Sequence, residues 1–456
     1  MNDEAFKNKL ASSTVVVVGL GRSGVAAAKL AKKHGARVVG TDSAPHDRLS
    51  AEALALELAD IEVLAGGHAH VAFDEADIIV MSPGVPAIPA VDAAEMVGTE
   101  VIGEIELAFR LLPPRPIVAI GGSNGKTTTT TLAGELLRAL GKKPFVGGNI
   151  GTPPAEILED GTIDGHDVLV LELSSFQCER MPRFRPNRAA LLNVTPNHLD
   201  RYTGFDAYAH AKGNMFANQT PDDAAVYPEG DSTCAREAAR GKAQPITFGS
   251  SNEPGAAFTF DREAIVDRAR GVRYLRKDIR LVGDHNAANI CAVLGLVADL
   301  SPPPDVVRDV LARFEGLPHR VSFVREREGV TYYDDSKATS VGAVVAAIEG
   351  LSQDKVVLVA GGRDKLGSYD PLVSALRKRG RAAVLIGEAA DRIAAAIGDA
   401  VPVERAATME EAVGMAAARA ERGDAVLLSP ACSSFDMFRD YKHRGDAFVD
   451  AVLKLP

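Results

Sequence analysis

The segment Pro116–Leu132 reads PIVAIGGSNGKTTTTTL. Its apolar, β-branched run at 117–120 predicts a buried strand, the glycine-rich stretch 121–125 predicts a loop, and the residues from Lys126 onward predict a helix. Glycines let successive backbone N–H groups turn toward an anion, and the helix start adds the positive end of its dipole. The segment therefore predicts a loop that binds a polyphosphate.

Two side chains at the end of this loop suit a nucleotide with magnesium. Lys126 can reach the outer phosphates, and the Thr127 hydroxyl is placed to coordinate a Mg²⁺ that bridges them. An ordinary βα turn with incidental glycines is the alternative. Ile120 stands where the common pattern has a glycine, six residues before the lysine. This shorter G-x-x-G-K-T form points away from common GTPases.

Length and composition limit the class of protein. A chain of 456 residues with 46% hydrophobic and 25% charged residues predicts two to four globular domains. The net charge of −10 argues against a nucleic-acid partner and favours small molecules. The four cysteines lack C-x-x-C spacing, which favours a reducing cytoplasm over zinc or disulfides. We expect no signal peptide and no membrane partner, since no apolar segment is long enough to cross a bilayer.

A second glycine motif lies near the N-terminus. The stretch 19–24 reads GLGRSG, a G-x-G-x-x-G sequence between a predicted strand at 15–18 and a predicted helix at 25–33. A further strand at 37–40 leads to Asp42, about twenty residues on, as in dinucleotide oxidoreductases. A nucleotide-sugar would satisfy the same geometry, and a Rossmann-like scaffold without ligand is the third possibility.

The middle of the chain places polar residues at predicted strand ends. Glu172 ends the apolar strand 167–173, where a buried carboxylate needs a metal ion or a salt bridge. His198 follows the strand 189–194, on the side where open α/β sheets bind ligands, although a structural histidine fits equally. Lys212, on a predicted helix at 205–218, reads as a solvated lysine. Asn286 and Asn289 share a helix face and could bond a purine or cap the helix.

The rest of the chain completes a fold prediction. Residues 221–282 suggest an accessory sheet, and strands at 330–333, 356–360, 383–386 and 425–428 alternate with helices. Cations and hydroxyls after these last strands suit an anionic substrate, with solvated loop charge as the alternative. A proline-rich segment at 111–116 and a linker at 315–320 mark boundaries. We predict an α/β chain of three domains: a Rossmann-like domain at 1–103, a central P-loop ATPase-like parallel sheet with accessory strands at 104–316, and a Rossmann-like domain at 317–456.

Seven motifs occur in one order along almost the whole chain: GGSNGKTT, LELSSFQ, NVTPNHLDRY, GDHNAAN, GLPHR, DDSKATS and LSPACSSFDMFRDYKHRGDAF. In this order the chain resembles the Mur ligase family. DSKAT and LSPACSSFDMF resemble the member that adds D-glutamate more than relatives that add L-alanine or a third residue. Folylpolyglutamate synthases share the central domain but are not expected to have this N-terminal domain.

The resemblance implies an ATP-dependent amide ligase of cytoplasmic peptidoglycan precursor synthesis, acting as a monomer. ATP's γ-phosphoryl group would move to the carboxylate of UDP-N-acetylmuramoyl-L-alanine, and the amine of D-glutamate would displace phosphate from the acyl phosphate. Oxidoreductase and non-catalytic nucleotide-binding functions remain as rivals. The second phosphate loop argues against the first, and Glu172 with His198 argues against the second.

The resemblance also implies roles for particular residues. Thr127 and Glu172 would hold one Mg²⁺, His198 a second, and Lys212 would be carbamylated to serve that site, with Lys126, Glu172, His198 and Lys212 as the catalytic set. The implied ATP-binding residues are Gly122, Ser123, Asn124, Gly125, Lys126, Thr127, Thr128, Asn286, Asn289, Arg320 and Asp335. The UDP part would meet Arg22, Ser23, Asp42, Ser43 and Gly67, and the muramoyl part Asn149 and His198. D-Glutamate would meet Lys337, Thr339, Lys365, Ser434 and Tyr441.

Two of these positions depart from the family pattern. The family has phenylalanine where this chain has Tyr441, and an aliphatic residue where this chain has Arg22. Because the ATP-binding residues come from two domains, we also expect the third domain to swing about the linker at 316–318.

Overall fold

A computed structural model describes residues 4–196, 201–316, 318–351, 353–364 and 368–455. His198, Leu317 and Lys365 therefore lie outside the described residues. None of the helices within these ranges has the length and hydropathy that a membrane crossing requires.

The first sheet is fully parallel, as predicted for the N-terminal domain. Its strands are β1 (Thr14–Val18), β2 (Arg37–Asp42), β3 (Glu62–Ala65), β4 (Ile78–Met81) and β5 (Glu100–Gly103), in the order β3-β2-β1-β4-β5. The helices are α1 (Glu4–Ala11), α2 (Arg22–Lys33), α3 (Ala51–Leu54), α4 (Pro89–Met96) and α5 (Glu104–Leu111). The strand order reverses at β1, so β1 and β4 end beside the crevice where such sheets bind ligands.

The second sheet has nine strands, in the order β14-β13-β12-β11-β10-β9-β6-β8-β7. They are β6 (Ile117–Gly121), β7 (Pro144–Gly148), β8 (Val168–Glu172), β9 (Arg188–Leu191), β10 (Ala224–Pro228), β11 (Gln244–Ser250), β12 (Phe258–Phe260), β13 (Ala264–Asp267) and β14 (Val272–Leu275). Its helices are α6 (Lys126–Ala139), α7 (Pro154–Glu159), α8 (Ser175–Cys178), α9 (Phe205–Gly213), α10 (Ser232–Ala238), α11 (Asp284–Leu296) and α12 (Pro304–Arg313). The strands β6 to β9 pair in parallel, and the accessory strands extend the sheet beyond β9.

The third sheet follows the order β15-β16-β20-β17-β18-β19, with only the edge pair β15 and β16 antiparallel. Its strands are β15 (Ser322–Arg327), β16 (Val330–Asp334), β17 (Val356–Gly361), β18 (Gly380–Ile386), β19 (Val403–Arg405) and β20 (Ala425–Leu428). The helices are α13 (Val341–Gly350), α14 (Asp370–Arg379), α15 (Ala390–Ile397), α16 (Met409–Arg419) and α17 (Tyr441–Lys454). An apolar cluster covers each face of this sheet.

The chain packs into two compact units: Met1–Thr259 with Val266–Val272 and Asn289–Val307, and Phe260–Ile265 with Arg273–Ala288 and Arg308–Pro456. The first unit contains the first sheet and most of the second, which share one apolar core. The predicted boundaries after residues 103 and 316 stay predictions.

Helix α5 joins the first two sheets through buried carboxylates. Glu104 accepts the N–H of Ala155 at 2.8 Å, and burial raises the pKa of this carboxyl to about 7. Glu106 accepts the N–H groups of Arg183 and Phe184 at 3.1 and 2.9 Å and the guanidinium of Arg110 at 2.6 Å. Because α5 is anchored on the central sheet, both sheets belong to one unit.

Candidate active site

The loop 121–125 connects the carboxyl end of β6 to α6. Gly122 and Gly125 have φ angles of +143° and +83°, which side chains with a Cβ adopt rarely. A Cβ on Gly125 would lie 2.4 Å from Oδ1 of Asn289, so this glycine also lets α11 approach the loop. Since α6 starts at Lys126, the positive end of its dipole faces the loop.

Contacts from neighbouring strand ends hold the loop in place. The backbone N–H groups of Ser123 and Asn124 donate to O and Oδ1 of Asn193, both at 2.9 Å. The Ser123 hydroxyl accepts the N–H of Thr195 at 2.9 Å and shares a 3.1 Å hydrogen bond with the hydroxyl of Tyr208. Sequence reasoning missed Asn193 and Tyr208. Only the position of Asn193, directly after β9, gave a signal.

Two ammonium groups meet at one carbonyl of the loop. Nζ of Lys126 donates to the Gly122 carbonyl at 2.9 Å and to the Ser123 carbonyl at 3.0 Å, and Nζ of Lys212 donates to the Gly122 carbonyl at 2.8 Å. Reading Lys212 as a solvated lysine was wrong, because its residue is 3% exposed. Burial, and then the charge of Lys126, lower the pKa of Lys212 to about 7. Burial therefore favours the neutral amine of Lys212.

Glu172 ends β8 and is 2% exposed. Its Oε1 accepts the side-chain amide of Asn149 at 2.8 Å, and the backbone N–H of Asn149 donates to the Glu172 carbonyl at 2.9 Å. Within the described ranges Oε2 is buried and has no hydrogen-bond partner. A buried carboxylate oxygen without a partner suits a cation, so Glu172 fits the predicted Mg²⁺.

The predicted ligand set for metal is incomplete in the described part of the chain. No group of three or more His, Cys, Asp and Glu side chains that could hold a metal ion occurs there. His198, the predicted ligand of the second Mg²⁺, lies outside the described residues. Thr128 is buried on α6.

The N-terminal glycine motif connects β1 to α2. Both carboxylate oxygens of Asp42 accept backbone N–H groups, from Leu20 at 2.7 Å and Ala44 at 2.8 Å. A Cβ on Gly24 would lie 1.8 Å from the Gly19 carbonyl oxygen, so the third glycine allows α2 to approach the loop. The Asp42 carboxylate therefore holds this loop by accepting a hydrogen bond from its backbone. Gly67, with φ +126°, donates its N–H to the Asp42 carbonyl at 3.1 Å, and Ser43 follows β2 directly.

A cleft of about 270 Å³ lies where this loop faces the central sheet within the first unit. It is lined by Gly21, Arg22, Ser23, Ser82, Pro83, Gly148, Asn149, Gly151, Pro153 and Gln177. The structure thus brings the predicted residues Arg22, Ser23 and Asn149 together. A second cavity of about 960 Å³ shares Ser82, Pro83 and Gln177 with it. Sequence reasoning missed these three as site residues, although they lie in motifs at strand ends.

Arg22 is engaged by the central sheet's helix α7 and the loop before it. Its guanidinium donates to the Gly151 carbonyl at 2.9 Å, to the Thr152 hydroxyl at 3.2 Å and to Glu156 at 3.0 Å. The hydrogen bond to Glu156 raises the pKa of Arg22 further. Its part in binding the UDP group stays a prediction.

The two asparagines of α11 are both buried. Asn289 lies against Gly125, as described above. Asn286 donates its amide to the Val282 carbonyl at 2.8 Å, four residues earlier. This bond orients Asn286, and neither residue's contact with adenine is tested.

In the second unit, the described residues predicted for D-glutamate lie in the loops after β16 and β20 and at the start of α17. Nζ of Lys337 lies 3.9 Å from the ring centroid of Tyr441, a cation–π contact. Ser434 is buried, and Thr339 follows in the Lys337 loop. Lys365 is outside the described residues.

Of the predicted ATP residues of this unit, Arg320 precedes β15 and Asp335 directly follows β16. Asp335 accepts the Ser429 hydroxyl at 2.7 Å and the Val321 N–H at 3.2 Å. Burial raises its pKa to about 7, against the opposing charge of Arg320. Arg320 lies between His319 and Val321, whose φ angles are +64° and +47°.

These features define a nucleotide-binding α/β protein of the P-loop type. Three family models match successive parts of the chain: the MurD-like N-terminal domain of Mur ligases at residues 13–103, the Mur ligase middle domain at 120–297 and the Mur ligase glutamate ligase domain at 319–432. The chain is 44% identical over 451 residues to the UDP-N-acetylmuramoylalanine–D-glutamate ligase of Trichlorobacter lovleyi, covering 98% of this chain and 100% of the relative.

Two solved structures share the fold. The UDP-N-acetylmuramate–alanine ligase of Thermotoga maritima superposes with a TM-score of 0.58 at 19% identity, covering 96% of this chain and 99% of that one. The MurF ligase of T. maritima in complex with ADP has a TM-score of 0.58 at 21% identity, covering 83% and 95%.

The chain belongs to the Mur ligase family. This confirms the resemblance and the predicted α/β fold class, and ATP is the nucleotide typical of the family. The oxidoreductase alternative does not fit a chain that matches Mur ligase domains in all three parts.

Proposed function

We propose that this chain is an ATP-dependent ligase that joins D-glutamate to UDP-N-acetylmuramoyl-L-alanine. One observation carries the proposal: relatives that bear this activity in their names are 41–44% identical over nearly the full length of both chains. The phosphate loop with two lysines and a buried carboxylate agrees with it. The monomeric state and the cytoplasmic location stay predictions.

The reaction has to overcome two chemical obstacles. A carboxylate resists attack by an amine because of its charge and its poor leaving group, and transfer of the γ-phosphoryl group of ATP solves both problems. Transfer forms an O–P bond at the substrate carboxylate and releases ADP. The amine of D-glutamate then attacks the carbonyl carbon, phosphate leaves, and a proton is lost from nitrogen as the amide forms.

Residues of the first unit would support transfer of the γ-phosphoryl group of ATP. Lys126 is placed to offset the negative charge of the outer phosphates and of the incoming carboxylate. Asn149 would orient the muramoyl substrate in the 270 Å³ cleft while holding Glu172.

Magnesium, when bound, would neutralise charge on the phosphates. Thr127 and Glu172 would hold the first ion and His198 the second, and the orphaned Oε2 of Glu172 supports its part in the first site. Carbamylation of Lys212 would replace a buried cation by a carboxylate. The neutral amine favoured by burial is the form that can add CO₂, with loss of a proton.

Residues of the second unit would serve both nucleotide and amino acid. Arg320 and Asp335 are proposed for ATP together with Asn286 and Asn289. D-Glutamate, a dianion with an amine at the reacting end, would meet the set Lys337, Thr339, Lys365, Ser434 and Tyr441.

The test is phosphate release from ATP with a panel of acceptors and amino acids. The acceptors are UDP-N-acetylmuramate and its L-alanyl and L-alanyl-D-glutamyl derivatives, each with L-alanine, D-glutamate, L-lysine or diaminopimelate. Release that requires the L-alanyl acceptor together with D-glutamate supports the proposal. Release with another pair would assign a different ligase of the family, and release with no pair would reject the proposal.

A further inference from the structure

Arg444, on α17, is the largest fully buried side chain in the described residues. Its Nε donates to the Ser336 hydroxyl at 3.0 Å and its Nη2 to the Ser336 carbonyl at 2.8 Å. Its Nη1 donates to the carbonyls of Cys432 at 3.2 Å and Gly361 at 3.4 Å. The Ser336 hydroxyl in turn donates to the Tyr441 carbonyl at 2.7 Å. One guanidinium therefore connects the end of β17 with the loops after β16 and β20.

These loops carry the residues proposed for D-glutamate. Lys337 directly follows Ser336, and Thr339 is two residues further on. Ser434 lies two residues after Cys432, and Tyr441 begins the helix that carries Arg444. A shift of the guanidinium would move both loops, because each offers it a backbone carbonyl.

The guanidinium of Arg444 is also a buried positive charge. Its bonds go to neutral oxygens, and no carboxylate of the described residues lies within ion-pair distance of it. Burial lowers the pKa of Arg444 to about 10, so it stays charged at neutral pH. The carboxylates of Asp436 and Asp334 oppose this shift from beyond ion-pair distance, and burial of the guanidinium costs stability.

We propose that Arg444 is a positioning residue for the amino-acid substrate, holding the loops after β16 and β20 in register. This inference rests on the proposed function. It differs from a purely structural role, in which Arg444 would only hold the domain together.

The matched control is Arg379, whose guanidinium donates to the carbonyls of Ile348, Glu349 and Leu351 at 2.7, 2.8 and 2.9 Å. Like Arg444, Arg379 donates to backbone carbonyls of the second unit. Its acceptors lie at the C-terminal end of α13, whereas the Lys337 loop precedes the N-terminal end of that helix. R379K and R444K each remove the planar fork and keep the charge.

The experiment measures KM for each substrate, thermal unfolding, and the acyl phosphate that hydroxylamine traps without D-glutamate. For R444K we expect KM for D-glutamate to rise about 10- to 100-fold, with KM for ATP and the trapping rate changed less than about threefold. R379K should lower the unfolding temperature with no such rise. Ser336→Ala, a smaller change, should raise KM for D-glutamate about fivefold, and it decides the question where R444K does not fold.

An equal rise for all substrates in R444K, or the same kinetics in R379K and R444K, would overturn the inference. So would unchanged D-glutamate KM in Ser336→Ala. A wild-type enzyme that traps no hydroxamate and releases no phosphate would instead reject the proposed function, so the two failures are distinguishable.

Discussion

The two glycine-rich loops, β1 to α2 and β6 to α6, share a local architecture and differ in what surrounds them. In the first, the carboxylate of Asp42 accepts the loop N–H of Leu20. In the second, the Nζ atoms of Lys126 and Lys212 both donate to the Gly122 carbonyl. A glycine-rich loop therefore marks a place where an anion can bind. The charged side chains around the loop determine whether that anion is only bound or also reacts. The first loop is suited to binding and the second to phosphoryl transfer.

The largest effect is expected from removing the first cation of the second loop. Lys126→Ala should reduce phosphate release about 10³-fold, because the charge developing at the γ-phosphate loses its nearest ammonium. Steady-state phosphate release measures this effect. Lys142→Ala changes an exposed lysine in the loop between α6 and β7; it is the control and should leave phosphate release unchanged. A loss below tenfold for Lys126→Ala would contradict the difference drawn between the loops.

Lys212→Ala should reduce the rate of phosphate release about 10²-fold or more. If the carbamate is the active form, added acetate should restore part of the lost activity. Lys126→Ala gains nothing from acetate and is the matched control. Full activity of Lys212→Ala would refute the role.

The same lysine predicts a pH dependence. Its folded pKa is about 7 against 10.5 for the free side chain, so the folded protein releases this proton first as pH rises. The neutral amine, and with it uptake of ¹³CO₂ measured by NMR, should increase from pH 6 to pH 8. Folding stability from this group should also rise between about pH 7 and pH 10.5. Uptake that falls over the first range would contradict the assignment.

A smaller effect is expected in the first loop. Asp42→Ala removes the acceptor of two backbone N–H groups and should raise KM for the UDP substrate about tenfold, with about 1–3 kcal/mol lost from the free energy of unfolding. KM for ATP should stay constant. Asp42→Asn keeps one acceptor oxygen and should change less. An equal rise in both KM values would show that the two loops do not act separately.

The smallest effect is expected at Arg22. Its guanidinium already contacts Gly151, Thr152 and Glu156, and its side chain is 58% exposed. Arg22→Leu should change KM for the UDP substrate less than about threefold, since exposed ion pairs contribute about 0–1 kcal/mol. A tenfold rise would instead assign the guanidinium to the substrate.

Much of this site was predictable because strands and loops are local. Strand β6, the glycines after it and the start of α6 follow from seventeen consecutive residues, and the ends of β8 and β16 were marked by carboxylates. Helix α9 ends at Gly213, earlier than the predicted 218, and continues as a short 3₁₀ helix at Asn214–Phe216. The segment predicted as an accessory sheet also contains helix α10. The sequence signal for this helix is Asp231, whose carboxylate caps its N-terminus.

By itself the sequence determined the α/β class, the order of the motifs and the family, because these depend on residue patterns along the chain. Only the tertiary structure decided that Lys212 is buried beside the phosphate loop, that Asp42 binds backbone amides and that Arg444 connects three strand ends. Burial and charge partners come from residues distant in sequence, 90 positions apart for Lys212 and Gly122. The physical environment of a side chain, and so its protonation and its role, is fixed by those distant contacts.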